Sequence, residues 1–279
     1  VRAVDDRAIA EAASRRFRSD YHYAVFEYLR SAKVIAALER AGVLLHGRVL
    51  DAGCGGGGTA LSLAEEADFA VGLDLEARFA EAGTRLAAEK AIARAGFVQG
   101  DGARLPFRES SFDLVFSHSV IEHVAAAEAY LAECHRVLRP GGVLYLSTAP
   151  YLSLSGAHLP RLRVPVPLHL LIGRDRAFRA FRFLARRAPW SLREPREANT
   201  FIALAEQGKE KQDDLLQSVT LARLRQWLRG AGFRVLHEDR HVTGFFRRVL
   251  PGPLRRRLER TRWAQDVMVG HVQCVLQKP

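Results

Sequence analysis

Cysteine is scarce in this chain of 279 residues, and the three present, Cys54, Cys134 and Cys274, lie far apart. Their spacing matches no metal-ligand pattern, and reduced thiols in a cytoplasmic protein are the simple reading. No carboxylate arrangement with an Asp-Asn pair is found either, so no catalytic metal is expected. Long apolar runs are also lacking. No stretch approaches the roughly 20 uninterrupted apolar residues that span a bilayer, and Val1 to Asp20 alternates charge with alanine and shows no secretory leader pattern. Internal repeats and low-complexity tracts are absent. Acidic charge is thin in one region: residues 151–265 carry 24 Lys/Arg against 10 Asp/Glu, whereas the rest carries 18 against 21. The net charge of +11 is therefore local. Such a region can attract anionic substrates, phospholipid headgroups or nucleic acid, or serve only for solubility.

What is present is ordinary globular composition, 48% hydrophobic and 26% charged, enough for one large core with or without an accessory subdomain. Residues 3–41 read as helix, with Tyr21, Val25, Tyr28 and Leu29 at spacings of three and four and Gly42 as a stop. Strands are expected at Arg48–Asp51, Ala70–Leu75, Phe97–Gly100, Phe112–Ser117 and Val143–Thr148, with helices at about 58–67, 77–94 and 124–139. This alternation predicts an α/β fold with a mostly parallel sheet covered by helices on both faces. The pattern changes after Pro150. Prolines and a Phe/Arg stretch from Asp175 to Arg187 suggest an insertion, and helix and strand signals return from Thr220. The expected division is N-terminal helices at 1–46, a core at 47–150, an insertion or lid at 151–218, and the end of the core at 219–279 with a basic insert at 244–265.

The strongest motif is Val49-Leu50-Asp51-Ala52-Gly53-Cys54-Gly55-Gly56-Gly57, an apolar strand ending in an acid, followed by a glycine loop that opens a helix. Glycines there let the backbone turn sharply and approach a ligand closely. Alone, such a loop fits many nucleotide folds. Asp74 ends the next strand, 23 residues beyond Asp51, where an acid can accept from ribose hydroxyls. Gly100-Asp101-Gly102-Ala103, Leu105-Pro106-Phe107, Ser111-Phe112-Asp113 and Arg136-Val137-Leu138-Arg139-Pro140-Gly141-Gly142 follow in order.

This series resembles the class I S-adenosylmethionine-dependent methyltransferases, strongly over 48–148 and more loosely over 220–277. The resemblance implies a Rossmann-like, seven-stranded, mostly parallel sheet whose last strand is antiparallel, with S-adenosyl-L-methionine as cofactor. It assigns Asp51, Ala52, Gly53 and Gly55 to the amino-acid end of the cofactor, with Asp51 acting through the loop or a water. Asp74 would take the ribose and Leu75 would flank the adenine. Asp101 would accept from the adenine amino group, and the Gly102 and Ala103 backbone would touch the ring. Ser117 and His118 would border the sulfonium. A dehydrogenase shares the glycine-loop logic, but no Tyr-x-x-x-Lys pair is found, and no Gly-Lys-Ser/Thr supports P-loop chemistry.

The cofactor is an activated electrophile, so the protein must mainly align a nucleophile and, for a hydroxyl, take its proton. His118, Glu122, His123 and His158 are the candidate catalytic residues, with His169 a further histidine of the insertion. Each has a plainer alternative: His118 shaping the pocket, Glu122 and His123 capping or packing the next helix. No Asn/Asp-Pro-Pro-Tyr follows strand four, which weakens exocyclic amines of bases as acceptors, and nucleic acid is not expected as a partner. A hydroxyl of a small molecule or glycan is the leading acceptor. One alternative is a peripheral membrane enzyme acting on a quinone or lipid-linked intermediate, held to an anionic surface through the basic 151–265 region. Another is a non-catalytic S-adenosylmethionine- or RNA-binding protein.

Overall fold

A computed structural model describes residues 4–16, 18–43, 45–154, 156, 158–160, 162–163, 166–193, 202 and 217–279. Two helices, α1 (Asp6–Arg15) and α2 (Asp20–Arg40), occupy the N-terminal stretch expected to be helical. The break follows from capping. Ser19 is extended, at φ −164°, and its hydroxyl accepts from the His22 amide, so a fresh helix starts there. Asp5 likewise accepts from the amides of Arg7 and Ala8 to start α1.

The alternating segment follows as β1 (Arg48–Ala52), α3 (Gly58–Ala64), β2 (Phe69–Asp74), α4 (Ala77–Glu89), β3 (Ala95–Gln99), β4 (Phe112–His118), α5 (Ala127–Val137) and β5 (Leu138–Thr148). After the insertion come α6 (Leu168–Ile172), α7 (Arg174–Arg187), α8 (Leu221–Gly230), β6 (Arg234–Val242), three short helices α9 (Gly244–Val249), α10 (Gly252–Leu258) and α11 (Arg262–Met268), and β7 (Val269–Gln277). The seven strands form one sheet in the order β3-β2-β1-β4-β5-β7-β6. Strands β1 to β5 pair in parallel. The terminal strands are antiparallel, and the Thr243 amide donates to the Met268 carbonyl where β6 ends and β7 begins. The expected Rossmann-like architecture is present.

Strand β5 starts five residues earlier than its apolar run suggested. Phe112 pairs with Leu138 but Leu114 pairs with Val143, so the Arg139-Pro140-Gly141-Gly142 stretch bulges out of the ladder. Gly141 takes the positive φ of 77° that this needs, and its amide donates to the Lys278 carbonyl.

The chain divides into two compact units. The first comprises 1–147, 227–238 and 274–279, the second 148–226 and 239–273. In the first, Val49 and Leu50 of β1 are fully buried, as befits the centre of a parallel sheet. Ile35 and Leu38 of α2 pack with Val49, Leu63, Leu114 and Tyr145. The second unit has its own core: Ala177, Phe181 and Ala185 recur every four residues along α7 and pack with Leu192 and Ile202. Phe183 lies off that stripe and is 63% exposed, although its spacing alone could not distinguish it from Phe181. In the same unit the buried Asp266 accepts from the Leu221 amide at 2.6 Å and so caps α8 from 45 residues away. Pro165 and Pro195, two of the prolines that marked the insertion, lie outside the described residues.

Candidate active site

The glycine loop is shaped by three separate constraints. Gly53, Gly55 and Gly57 have φ of 88°, 51° and 81°, in the left-handed region where a Cβ is unfavourable. The amides of Gly53 and Cys54 both donate to the Leu73 carbonyl at the end of β2, at 2.7 and 2.9 Å. On the far side α2 presses against the loop. A Cβ on Gly58 would sit 1.9 Å from the Ala24 carbonyl oxygen, and one on Gly56 2.8 Å from the Ala24 amide nitrogen. Gly56 and Gly58 are thus required by helix packing and not by a turn.

Three carboxylates converge on this loop. Asp74 accepts from the Gly55 amide at 2.9 Å through one oxygen and from the Glu76 amide at 3.1 Å through the other. It braces the loop while keeping further lone pairs for a ligand. Asp51 is 2% exposed, and burial together with the charge of Asp74 pushes its pKa up to about 8, partly offset by the Ala60 amide. Glu27, from α2, is also buried. Desolvation, then the Asp51 charge, hold its carboxyl well above the usual range despite the Gly56 and Gly58 amides. Among the described residues, Glu27 Oε2 and Asp51 Oδ2 have no hydrogen-bond partner. Burial and these acids also push the Cys54 thiol up, away from reactivity. Buried carboxyls short of partners are costly unless a cation or donor completes them. The donor set therefore fits a positively charged ligand, as a sulfonium bearing an ammonium group is.

Further along the strand ends, Leu75 is 67% exposed just beyond β2. Asp101 accepts from the Ala103 amide at 2.8 Å, an Asx turn that fixes the Gly102-Ala103 backbone. Gly102 has no room for a side chain, since a Cβ would lie 2.8 Å from the Tyr130 ring. Tyr130, on α5, donates or accepts at two strand ends at once: its hydroxyl lies 2.7 Å from Ser117 Oγ and 3.1 Å from the Ala52 carbonyl. Ser117 and Ala52 are both fully buried. His118 is half-buried, stacks on Phe116, and its Nδ1 lies 2.6 Å from Ser147 Oγ.

Glu122 is buried and His123 half-buried in the turn between β4 and α5. Neither caps that helix, which begins at Ala127, three residues later than expected, behind Ala126 with no side-chain cap. His158 belongs to the second unit and has a positive φ of 52°. His169, in the same unit, is buried with Nε2 3.2 Å from the Tyr151 carbonyl, and burial lowers its pKa.

Two of the motifs that carry the family resemblance are scaffolding. Arg136 donates to the carbonyls of Phe107 and Leu105 and pairs with Glu133, which itself accepts from the Leu105 amide. The Leu105-Pro106-Phe107 turn and the Arg136 segment are therefore one hydrogen-bonded cluster. Asp113 accepts from the Arg48 amide at 2.6 Å and pairs with Arg139, tying the start of β1 to the β5 bulge.

Reasoning from sequence did not single out Glu27, Tyr130 or the Arg136 cluster as contributors. A polar residue inside the apolar stripe of α2 was the available signal for Glu27. Tyr130 offered none beyond its place on a buried helix face.

Residues 50–146 match the family described as "Methyltransferase domain". The malonyl-[acyl-carrier protein] O-methyltransferase of Enterobacter lignolyticus is 34% identical over 161 residues, 57% of this chain and 59% of that protein. The ubiquinone biosynthesis O-methyltransferase of Sodalis glossinidius is 29% identical, over 52% of this chain and 59% of that one. The demethylmenaquinone methyltransferase of Beutenbergia cavernae is 34% identical, over 47% and 55%. The chain thus spans less than two thirds of the length of these curated relatives. Among solved structures, an S-adenosylmethionine-dependent methyltransferase from Mesorhizobium loti superposes with a TM-score of 0.53 at 19% identity, covering 87% of this chain and 96% of that one. The [4+2]-cyclase SpnF gives the same score at 18% identity, over 89% and 80%, which shows the fold without fixing the reaction. Residues 50–146 thus match a methyltransferase domain, in line with the class I S-adenosylmethionine-dependent family that the sequence motifs resemble.

Proposed function

We propose that the protein transfers the methyl group of S-adenosylmethionine to a lipophilic small molecule of the quinone or lipid-linked kind. The observation that carries the cofactor half is the glycine loop faced by Asp74 and by the buried Glu27 and Asp51, each of which leaves one carboxyl oxygen for a ligand to complete. In this reading Asp51, Ala52, Gly53 and Gly55 form the seat of the methionine end, Asp74 accepts from the ribose hydroxyls, and Leu75 covers one adenine face. Asp101 and the Gly102-Ala103 backbone meet the adenine edge. Ser117 contributes by holding Tyr130 and so the ends of β1 and β4. The cofactor, when bound, supplies an activated methyl group.

The acceptor half rests on the relatives, which are named for ubiquinone, menaquinone, sterol and acyl-carrier methylation. These names favour a lipophilic acceptor over the glycan or simple hydroxyl compound suggested by the sequence. Among the described residues no helix is long and apolar enough to cross a membrane. The second unit does expose Leu171 at 67%, Phe183 at 63% and Trp190 at 74% in a segment studded with arginines. That combination suits peripheral contact with anionic lipid.

For an oxygen nucleophile, His118 is the proton acceptor in this reading. Of its two neutral tautomers, the one that donates Nδ1–H to Ser147 Oγ makes Nε2 the basic nitrogen. Glu122, His123 and His158 are not needed for that step.

Calorimetry with S-adenosylmethionine and its demethylated product tests the cofactor half. Wild type should bind both, and Asp74→Ala should bind at least about tenfold more weakly, one charge-assisted hydrogen bond's worth. No binding by folded wild type would end the proposal. Co-sedimentation with anionic vesicles tests the membrane half, and failure to bind at low salt would refute it alone.

A further inference from the structure

The second unit contains a cavity of about 540 Å³, formed wholly by its own residues. Leu162, Phe181 and Val249 contribute apolar wall from three separate segments: the Leu162–Leu192 bridge, α7 and α9. Arg163, Arg193 and Arg248 line the same cavity. Among the described residues no aspartate or glutamate lines it. The polarity is graded. Phe181 is only 3% exposed, whereas all three arginines are exposed. Phe181 and the buried His169 therefore lie deep in the cavity, whereas the arginines and Val249 lie toward solvent.

That gradient specifies a class of ligand. The volume lies in the range of about 300–1,000 Å³ typical of small-molecule sites. A nucleotide or sugar phosphate would bring more hydroxyls and ring nitrogens than His169, His241, His271 and Thr243 can pair in an otherwise apolar lining, at a cost in affinity. A neutral hydrocarbon would use the wall but gain nothing from the arginines, whose mutual repulsion an anion relieves. We infer that the second unit binds a single-chain amphiphile with an anionic head, its acyl chain against Leu162 and Phe181 and its phosphate or carboxylate held by Arg163, Arg193 and Arg248. The inference goes beyond the methyl-transfer reading and does not depend on it.

The test is calorimetry on the full chain with dodecyl phosphate, kept below its micelle threshold, alongside dodecanoate, dodecanol and inorganic phosphate. Dodecyl phosphate and dodecanoate should bind one to one. Both should bind about tenfold or more tightly than dodecanol, the sum expected of three solvent-exposed charge pairs, and inorganic phosphate should bind far more weakly still. The combined variant Arg163→Gln, Arg193→Gln, Arg248→Gln should lose that preference while keeping its dodecanol affinity. Because the three side chains are exposed, its fold should survive, which circular dichroism checks. A second variant, Val249→Trp, places bulk at the mouth from a half-exposed position and should weaken both dodecyl phosphate and dodecanol. Equal affinity for dodecanol and dodecyl phosphate in wild type would overturn the proposal. So would inorganic phosphate binding as tightly as dodecyl phosphate, or a triple variant that keeps the full preference. Release of the demethylated cofactor with another acceptor, in a protein that binds no amphiphile, would sink this site and leave the methyltransferase reading standing.

Discussion

Replacing Asp51 with asparagine should make the ligand-free protein more stable at pH 8, and the gain can be worked from the carboxyl's surroundings. Asp51 is 2% exposed and titrates at about 8, against 3.8 for the unperturbed group. Between those values the folded protein holds a proton that the unfolded chain has released. The unfolded state therefore binds fewer protons, and stability falls as pH rises, at about 1.4 kcal/mol per pH unit for one group, levelling off above pH 8. Ordinary carboxylates finish titrating by about pH 6, while His135 and His169, lowered by burial, oppose the trend near pH 6.5. The slope from pH 6.5 to 8 is therefore read as the difference between wild type and Asp51→Asn. Over that range the wild type should lose about 2 kcal/mol on account of Asp51 alone. Glu27 is shifted in the same direction and in part by Asp51 itself, so the measured slope can exceed that of one group. Asp51→Asn removes its own contribution and weakens that of Glu27, so the slope should fall by half or more. The assay is urea denaturation at intervals of half a pH unit, following the far-ultraviolet signal with the m-value checked for constancy. An Asp51→Asn protein whose slope equals that of the wild type would refute the reasoning. The same charge logic predicts that saturating S-adenosylmethionine stabilises the wild type more at pH 8.5 than at pH 6.5.

Gly58→Ala should be severely destabilising, by about 3 kcal/mol or more, because its Cβ would lie 1.9 Å from a backbone oxygen that cannot rotate away; a thermal midpoint equal to wild type would contradict the α2 packing described above. Tyr130→Phe leaves the Ser117 hydroxyl and Ala52 carbonyl without their shared partner and should cost about 1–3 kcal/mol in chemical denaturation. His118→Gln should lower kcat for an oxygen acceptor by about 10²-fold or more while leaving cofactor affinity within a factor of about three; an unchanged kcat would remove His118 as the base. Ser147→Ala should produce a smaller loss of kcat in the same direction, since it frees the ring that Ser147 orients.

Local features were legible in the sequence. The glycine loop, Asp74 and Asp101 each sit at the end of a strand whose apolar run marks it, and chain order alone puts those ends on one edge of a parallel sheet. The ends of β1 to β4 moved by at most two residues, whereas in β5 Pro140 and two glycines read as a break but form a bulge held by the distant Lys278. What escaped depends on contacts far apart in sequence. Glu27 reaches the loop only because α2 docks on Gly56 and Gly58, and nothing near residue 27 announces that docking. Asp266 looks like one acid in a basic insert, yet it caps a helix. The two motifs joined by Arg136 look like separate signals, although one guanidinium explains why they occur together. On α7, the spacing of Phe178, Phe181 and Phe183 could not choose an inward face, because the choice is made by Leu192 and Ile202.

The docking of α2 on the glycine loop carries a practical consequence for anyone who wishes to transplant this domain. The stretch that matches the family, residues 50–146, contains the loop but not the helix that moulds it. A graft or chimera cut at residue 47 would carry Gly56 and Gly58 with nothing to lean on, and would leave Glu27 behind. The minimal exchangeable part therefore begins before Asp20, and a library built on the shorter segment would screen for repair of a missing wall before it could screen for a new acceptor.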